Sequence, residues 1–176
     1  MIARDLDEVA ALYAEWGQQN YDEAISQLAH AEQTAALAVA AGSPDSLVAA
    51  ALLHDVGHLI YLAHGVAGAH EDTGVAFLGG LFGHDVLAPI AGHVEAKRAL
   101  CALDAPYHDA LSAGSKRSLV RQGGPLPPAA AEAFAAGNGD AMTLRRWDDL
   151  GKVDGLDVRP FTSYRELLSS LTRPRS

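Results

Sequence analysis

The sequence predicts an all-α fold in a single domain. Three observations point to it. Apolar residues recur at helical spacing in one segment after another. No run alternates with period two, so no sheet is expected. Alanine is abundant while aromatics are only 6%, which favours helices packed through small side chains. A chain of 176 residues suits one domain with one core. We take residues 1–176 as that domain, centred on about 18–155.

The elements follow in order. Residues 4–17 read as a helix with Leu6, Val9, Leu12, Tyr13 and Trp16 on one face, ended by Gly17. Residues 18–23 are a polar connection carrying Tyr21 and Glu23. Residues 24–41 form a second helix on Ile25, Leu28, Ala29, Ala36 and Val39, closed by Gly42. Ser43-Pro44-Asp45 is a helix start. That third helix should run to about Asp55 and break at Gly57, with residues 59–68 a loop. Further helices are expected from His70 to about Leu81 and from Asp85 to about Leu103. Asp104 to Pro128 reads as an irregular, ordered active-site loop with a short helical turn near Ser112 to Val120. Pro128–Ala136, Asp140–Leu150 and Tyr164–Leu171 complete the set.

The formal net charge of −9 argues against nucleic acid or an anionic membrane as main partner, because both need a basic face. A small anionic ligand needs only a few local cations and stays open. Cys101 is the single cysteine, so neither an internal disulfide nor a cysteine zinc site is expected. That fits a reducing cytoplasm. Met1 to Asp7 lacks the apolar centre of a signal peptide, and the run Leu47–Leu53 is too short to cross a bilayer.

The sharpest chemical signal is His54-Asp55-Val56-Gly57-His58, at the end of an apolar helix. Adjacent helical residues point about 100° apart, so the pair should converge on something at the helix end. A divalent metal fits, since imidazole and carboxylate suit iron, manganese or zinc, and an aspartate has two oxygens with which to bridge two ions. The bland alternative is a favourable histidine and a solvated aspartate at a helix terminus. His30, His70 and His93 weigh against it. Each stands in or at a helix, and the small neighbours Ala69 and Gly92 should leave room for the imidazoles of His70 and His93 to reach inward. His64, His84 and His108 read as ordinary loop or surface residues.

The order His30, His54-Asp55 and a distant aspartate resembles the HD-domain superfamily of helical metalloenzymes. His70 and His93 match the two added histidines of its two-metal members. Five longer elements are similar to a narrower group. They are Ser26-Gln27-Leu28-x-His30, His54-Asp55-x-Gly57-His58, His93-x3-Lys97, Ser118-Leu119-x2-Gln122-Gly123-Gly124-Pro125 and Leu144-Arg145-Arg146-Trp147-Asp148-Asp149. The group is the HD-domain mixed-valence diiron oxygenases that cleave carbon–phosphorus bonds, and the likeness spans about residues 18–155.

The resemblance implies one iron on His30, His54, Asp55 and Asp148, with Asp55 bridging to a second on His70 and His93. Asp148 is preferred to Asp149 because the related inositol oxygenase has its ligand four residues before a lysine, here Lys152. A phosphonate would meet His58, Lys97, Ser115, Gln122 and Arg145. Lys97 lies one turn after His93, and Arg145 three residues before Asp148. Tyr21 would cover the open iron and Glu23 would contact a substrate amino group, although their spacing is one residue shorter than the family's. The implied reaction takes a 1-hydroxyalkylphosphonate and dioxygen to a carboxylate and phosphate. Hydrogen, amino and trimethylammonio are all open as the C2 substituent. The rival readings are a metal-dependent HD phosphohydrolase of nucleotides or phosphate esters, and a non-catalytic HD module that binds a phosphorylated signal.

Overall fold

The computed structural model describes residues 1–20 and 25–173. Among them the elements are α1 (Leu6–Trp16), α2 (Gln27–Ala40), α3 (Asp45–Leu53), α4 (Val56–His64), α5 (His70–Leu78), α6 (His84–Leu103), α7 (Ala105–Ala110), α8 (Ala113–Arg121), α9 (Pro128–Gly137) and α10 (Gly139–Leu150). A 3-10 turn, Phe161–Tyr164, then leads into α11 (Arg165–Leu171). The described residues form no strand, only an isolated bridge between Asn20 and Ser26. Side-chain caps start several helices: Asp5 accepts from the Glu8 N–H at 3.0 Å, Ser26 from Ala29 at 3.2 Å and Ser112 from Ser115 at 3.0 Å.

The middle of the molecule is α3. Leu47 to Leu53 are all buried, so this helix is apolar on every side and α2, α6, α10 and α11 pack around it. Leu59, Ile60, Phe77, Leu78, Phe82, Ile90 and Leu144 extend the same core. Fully burying each such side chain contributes about 1.5–3 kcal/mol. The stretch Asp45–His64 is long and apolar enough to cross a membrane, but 67% of its apolar 18-residue window is buried inside the protein, as in a core segment. A small second cluster joins Cys101, Leu111 and Leu119, with Tyr107 against it.

Three expectations are corrected. The third helix does not run to Asp55. It stops at Leu53, and a new helix begins at Val56 and reaches His64, where a loop was expected. Gly57 therefore lies inside a helix. A Cβ there would sit 2.0 Å from the His70 carbonyl oxygen, so the glycine marks the crossing of α4 and α5, not a helix end. The break falls on His54-Asp55, where Asp55 takes φ −100° and ψ 12°. Next, Asp104 to Pro128 is mostly helical, and Ser115 stands in the first turn of α8. Finally, the room at Gly92 goes to a neighbouring helix: a Cβ there would meet the Ala141 Cβ at 2.9 Å, and α6 and α10 pack closely at that point.

Candidate metal centre and its anion-facing wall

The tertiary fold brings together side chains from five places: His30 on α2, His54 and Asp55 at the α3–α4 break, His70 on α5, His93 on α6 and Asp148 on α10. Three of the histidines are aimed by backbone carbonyls. His30 Nδ1 meets the Gly151 oxygen at 2.8 Å, His54 Nδ1 the Ala51 oxygen at 2.9 Å and His93 Nδ1 the Ile90 oxygen at 2.7 Å. A carbonyl only accepts, so each Nδ1 carries the proton and each Nε2 presents a lone pair. His70 Nδ1 instead faces the Glu71 carboxylate at 3.2 Å.

The two oxygens of Asp55 face different pairs of histidines. Oδ2 lies 3.6 Å from His30 Nε2 and 3.5 Å from His54 Nε2. Oδ1 lies 3.3 Å from His70 Nε2 and 3.6 Å from His93 Nε2. Asp148 joins the first pair, with Oδ1 at 3.4 Å from His30 Nε2 and Oδ2 at 3.7 Å from His54 Nε2. Such separations are those of neighbouring donors around one ion with bonds of about 2.1 Å. Two groups could thus each hold a metal, His30–His54–Asp55 and Asp55–His70–His93. A metal also answers a hydrogen-bonding deficit: among the described residues, the buried Nε2 atoms of His30 and His54 have no partner.

Charge suits the same purpose. Burial alone would raise the Asp55 carboxyl, but His54, His58 and His70 hold it well below the usual carboxylate range. Burial likewise opposes the ionised form of Asp148, and Arg145, Lys152 and His30 outweigh it. Burial pushes the His54 and His93 imidazoles down, so both stay neutral, as a metal ligand must be. His58 stacks on His70 at 4.1 Å and is pushed by burial to about 4, so it is a neutral hydrogen-bonding group here, not a cation.

The opposite wall of the cavity, whose volume is about 660 Å³, carries donors. Lys97, Ser115 and Arg145 are buried and line it with His58 and Gln122. The Lys97 ammonium bonds the Ser118 hydroxyl at 2.7 Å, and burial together with Arg145 lowers its pKa to about 8. Tyr21 and Glu23 lie outside the described residues. His64 and His84 are exposed and His108, beside Asp109, is half-buried; none of the three lines the cavity.

Sequence reasoning missed four residues. Gln27 lines the cavity with a buried Oε1 that has no hydrogen-bond partner among the described residues, as does Gln122. Its place three residues before His30, on the same helix face, was the available signal. Lys152 reaches Asp148 Oδ1 at 3.4 Å and Ser115 Oγ at 3.3 Å. Tyr107 and Asp149 contact Arg145, and nothing local in the sequence announces that pairing.

No family model matches the sequence. The chain is 39% identical over 168 residues to the hydroxymethylphosphonate dioxygenase of Gimesia maris, an alignment covering 90% of this chain and 84% of that protein. It belongs to the phosphonate dioxygenase family. Another member, the [1-hydroxy-2-(trimethylamino)ethyl]phosphonate dioxygenase (glycine-betaine-forming) of Leisingera caerulea, is 29% identical over 172 residues, 93% of this chain and 88% of that one. An uncharacterized protein of Acanthamoeba polyphaga mimivirus is 28% identical over 185 residues, covering 95% and 81%. As a phosphonate dioxygenase the chain is an oxygenase of phosphonate catabolism, and its two His/Asp groups are where a metal cofactor fits.

Proposed function

We propose that this chain uses two iron ions and dioxygen to cleave the carbon–phosphorus bond of a 1-hydroxyalkylphosphonate. The observation that carries the reading is the division of Asp55, whose two oxygens face different histidine pairs across from a wall of buried donors. His30, His54, Asp55 and Asp148 would hold one ion, and Asp55, His70 and His93 the other. Imidazole and carboxylate donors suit iron, and Cys101 sits in the separate small cluster, so no thiolate enters the set. When bound, the irons supply the redox equivalents for dioxygen and the Lewis acidity that draws in the substrate hydroxyl.

The protein's own part is binding and charge neutralisation. A phosphonate dianion set against Lys97, Arg145 and Ser115 meets charge-assisted donors in a site largely shielded from water. With the phosphorus held there, C1 and its hydroxyl point toward the histidine–aspartate side. Gln27 and Gln122 offer acceptors to O–H or N–H groups of the substrate. Tyr21 and Glu23 belong to the segment leading into α2 and would contact the substituent. The reaction balances with one dioxygen: hydroxymethylphosphonate plus O2 gives formate and phosphate, both oxygen atoms ending in products. A cytoplasmic location belongs to the same reading.

The test uses iron-loaded protein with hydroxymethylphosphonate, 2-amino-1-hydroxyethylphosphonate and its trimethylammonio analogue. Iron content near two per chain and phosphate release that requires dioxygen, one molecule per phosphate, are expected. Phosphate release from phosphate esters that is indifferent to dioxygen would overturn the reading in favour of a hydrolase.

A further inference from the structure

We infer that Tyr107 and Asp149 are positioning residues that brace Arg145 for anion binding, and that this is what ties α7, which packs on α6, to α10. The inference rests on the proposed role of Arg145 toward the phosphonate. Arg145 is a long side chain with five N–H donors, and a free one would lose much rotamer freedom on closing around a substrate. It does not have that freedom. Its Nε donates to the Tyr107 hydroxyl at 3.1 Å and to Asp149 Oδ2 at 3.1 Å, while Nη2 donates to the other oxygen of Asp149. The Tyr107 hydroxyl in turn donates to Asp149 Oδ2. Carboxylate and guanidinium thus meet through two parallel bonds, a geometry that fixes the guanidinium plane as well as its place. The opposite edge, Nη1, is turned to Asp148, and Nη2 also approaches the Ser115 hydroxyl at 3.4 Å.

Tyr107 is itself held. Its N–H is accepted by Asp104 at 3.2 Å, and the Arg146 guanidinium lies over its ring at 5.9 Å from the centroid. No residue of α7 is buried or lines the cavity, so Tyr107 is its link to the site. The run Arg145-Arg146-Trp147-Asp148-Asp149 then reads completely. Arg145 faces the cavity, Arg146 holds Tyr107, Trp147 packs in the core, Asp148 turns to the histidines and Asp149 fixes Arg145.

The test is a double-mutant cycle on iron-loaded protein, with inorganic phosphate as probe and calorimetric Kd as readout, alongside metal content and steady-state kinetics. Tyr107→Phe and Asp149→Asn should keep their iron and weaken phosphate binding, by about tenfold for the lost hydrogen bond of the tyrosine and more for the lost charge. KM for the phosphonate should rise more than kcat falls. Added to Arg145→Ala, Tyr107→Phe should cost nothing further. A phosphate penalty that persists without Arg145 would mean a merely structural tyrosine and overturn the brace. If Arg145→Ala weakens phosphate binding but neither Tyr107→Phe nor Asp149→Asn does, the brace alone fails. If Arg145→Ala binds phosphate like the wild type, the brace falls together with the reading of Arg145.

Discussion

His30, His54 and His93 are aimed by backbone carbonyls, whereas Lys97, Arg145 and Lys152 are aimed by other side chains. The first wall grows out of α2, α3 and α6, whose buried faces belong to the main core. The second leans on α7, α8 and the small cluster around Cys101, Leu111 and Leu119. The Ala51 and Ile90 carbonyls lie inside packed helices and move only if the helix moves, and Gly151 caps the end of α10, so the histidine side is held by the backbone. A side-chain network can be altered one residue at a time. The difference suggests that ion holding and anion holding are separable functions in this molecule.

The strongest way to break that comparison is at the residue shared within the first wall. Asp55→Ala should lose both metals and all activity, because two cations would be left close together without the carboxylate between them. Metal analysis decides it: one full equivalent retained would show that Asp55 is not shared. A smaller effect is expected from Gly57→Ala. The new methyl would be forced on the backbone of His70. Overpacking of this kind costs about 1–3 kcal/mol, a fall of roughly 2–12 °C in Tm. His70 should shift and His30 should not, so iron should drop toward one per chain. Two irons and an unchanged Tm would show that α5 gives way easily.

Lys97 sharpens the other side. Lys97→Ala should keep its iron and raise KM by roughly 30-fold, the equivalent of about 2 kcal/mol for a desolvated charge pair. Loss of iron would merge the two walls into one function. The wild type should also show a pH effect. The Lys97 pKa is lowered to about 8, so the ammonium is present below that pH and is lost as pH rises through it. The ratio kcat/KM, which reports the free enzyme, should therefore fall above about pH 8. In Lys97→Arg the charge persists and the fall should move to higher pH.

Helical periodicity was legible in most elements because it depends only on neighbours three and four residues apart, but it did not reveal α4 or α7. The residue types that the fold gathers in two groups able to hold a metal were legible too, since a histidine–aspartate pair at the end of an apolar helix has few ordinary uses. What failed locally failed for a tertiary reason. Gly57 looked like a helix breaker, and only the passage of α5 over α4 reveals it as a contact glycine. The 59–64 stretch looked like a loop, yet Leu59 and Ile60 are core residues. Tyr107 carries no periodic signal, and its partner Asp149 lies 42 residues away.

The sequence by itself therefore determined most of the helices, the donor types and the family resemblance, since each is written in residue identity and short spacing. Only the tertiary structure decided which donors meet. His30 finds its carbonyl 121 residues along the chain, and Asp55 divides its oxygens between histidines on three other helices and one beside it. Pairings across such distances are made by the packing of whole helices around α3, and no local pattern encodes them.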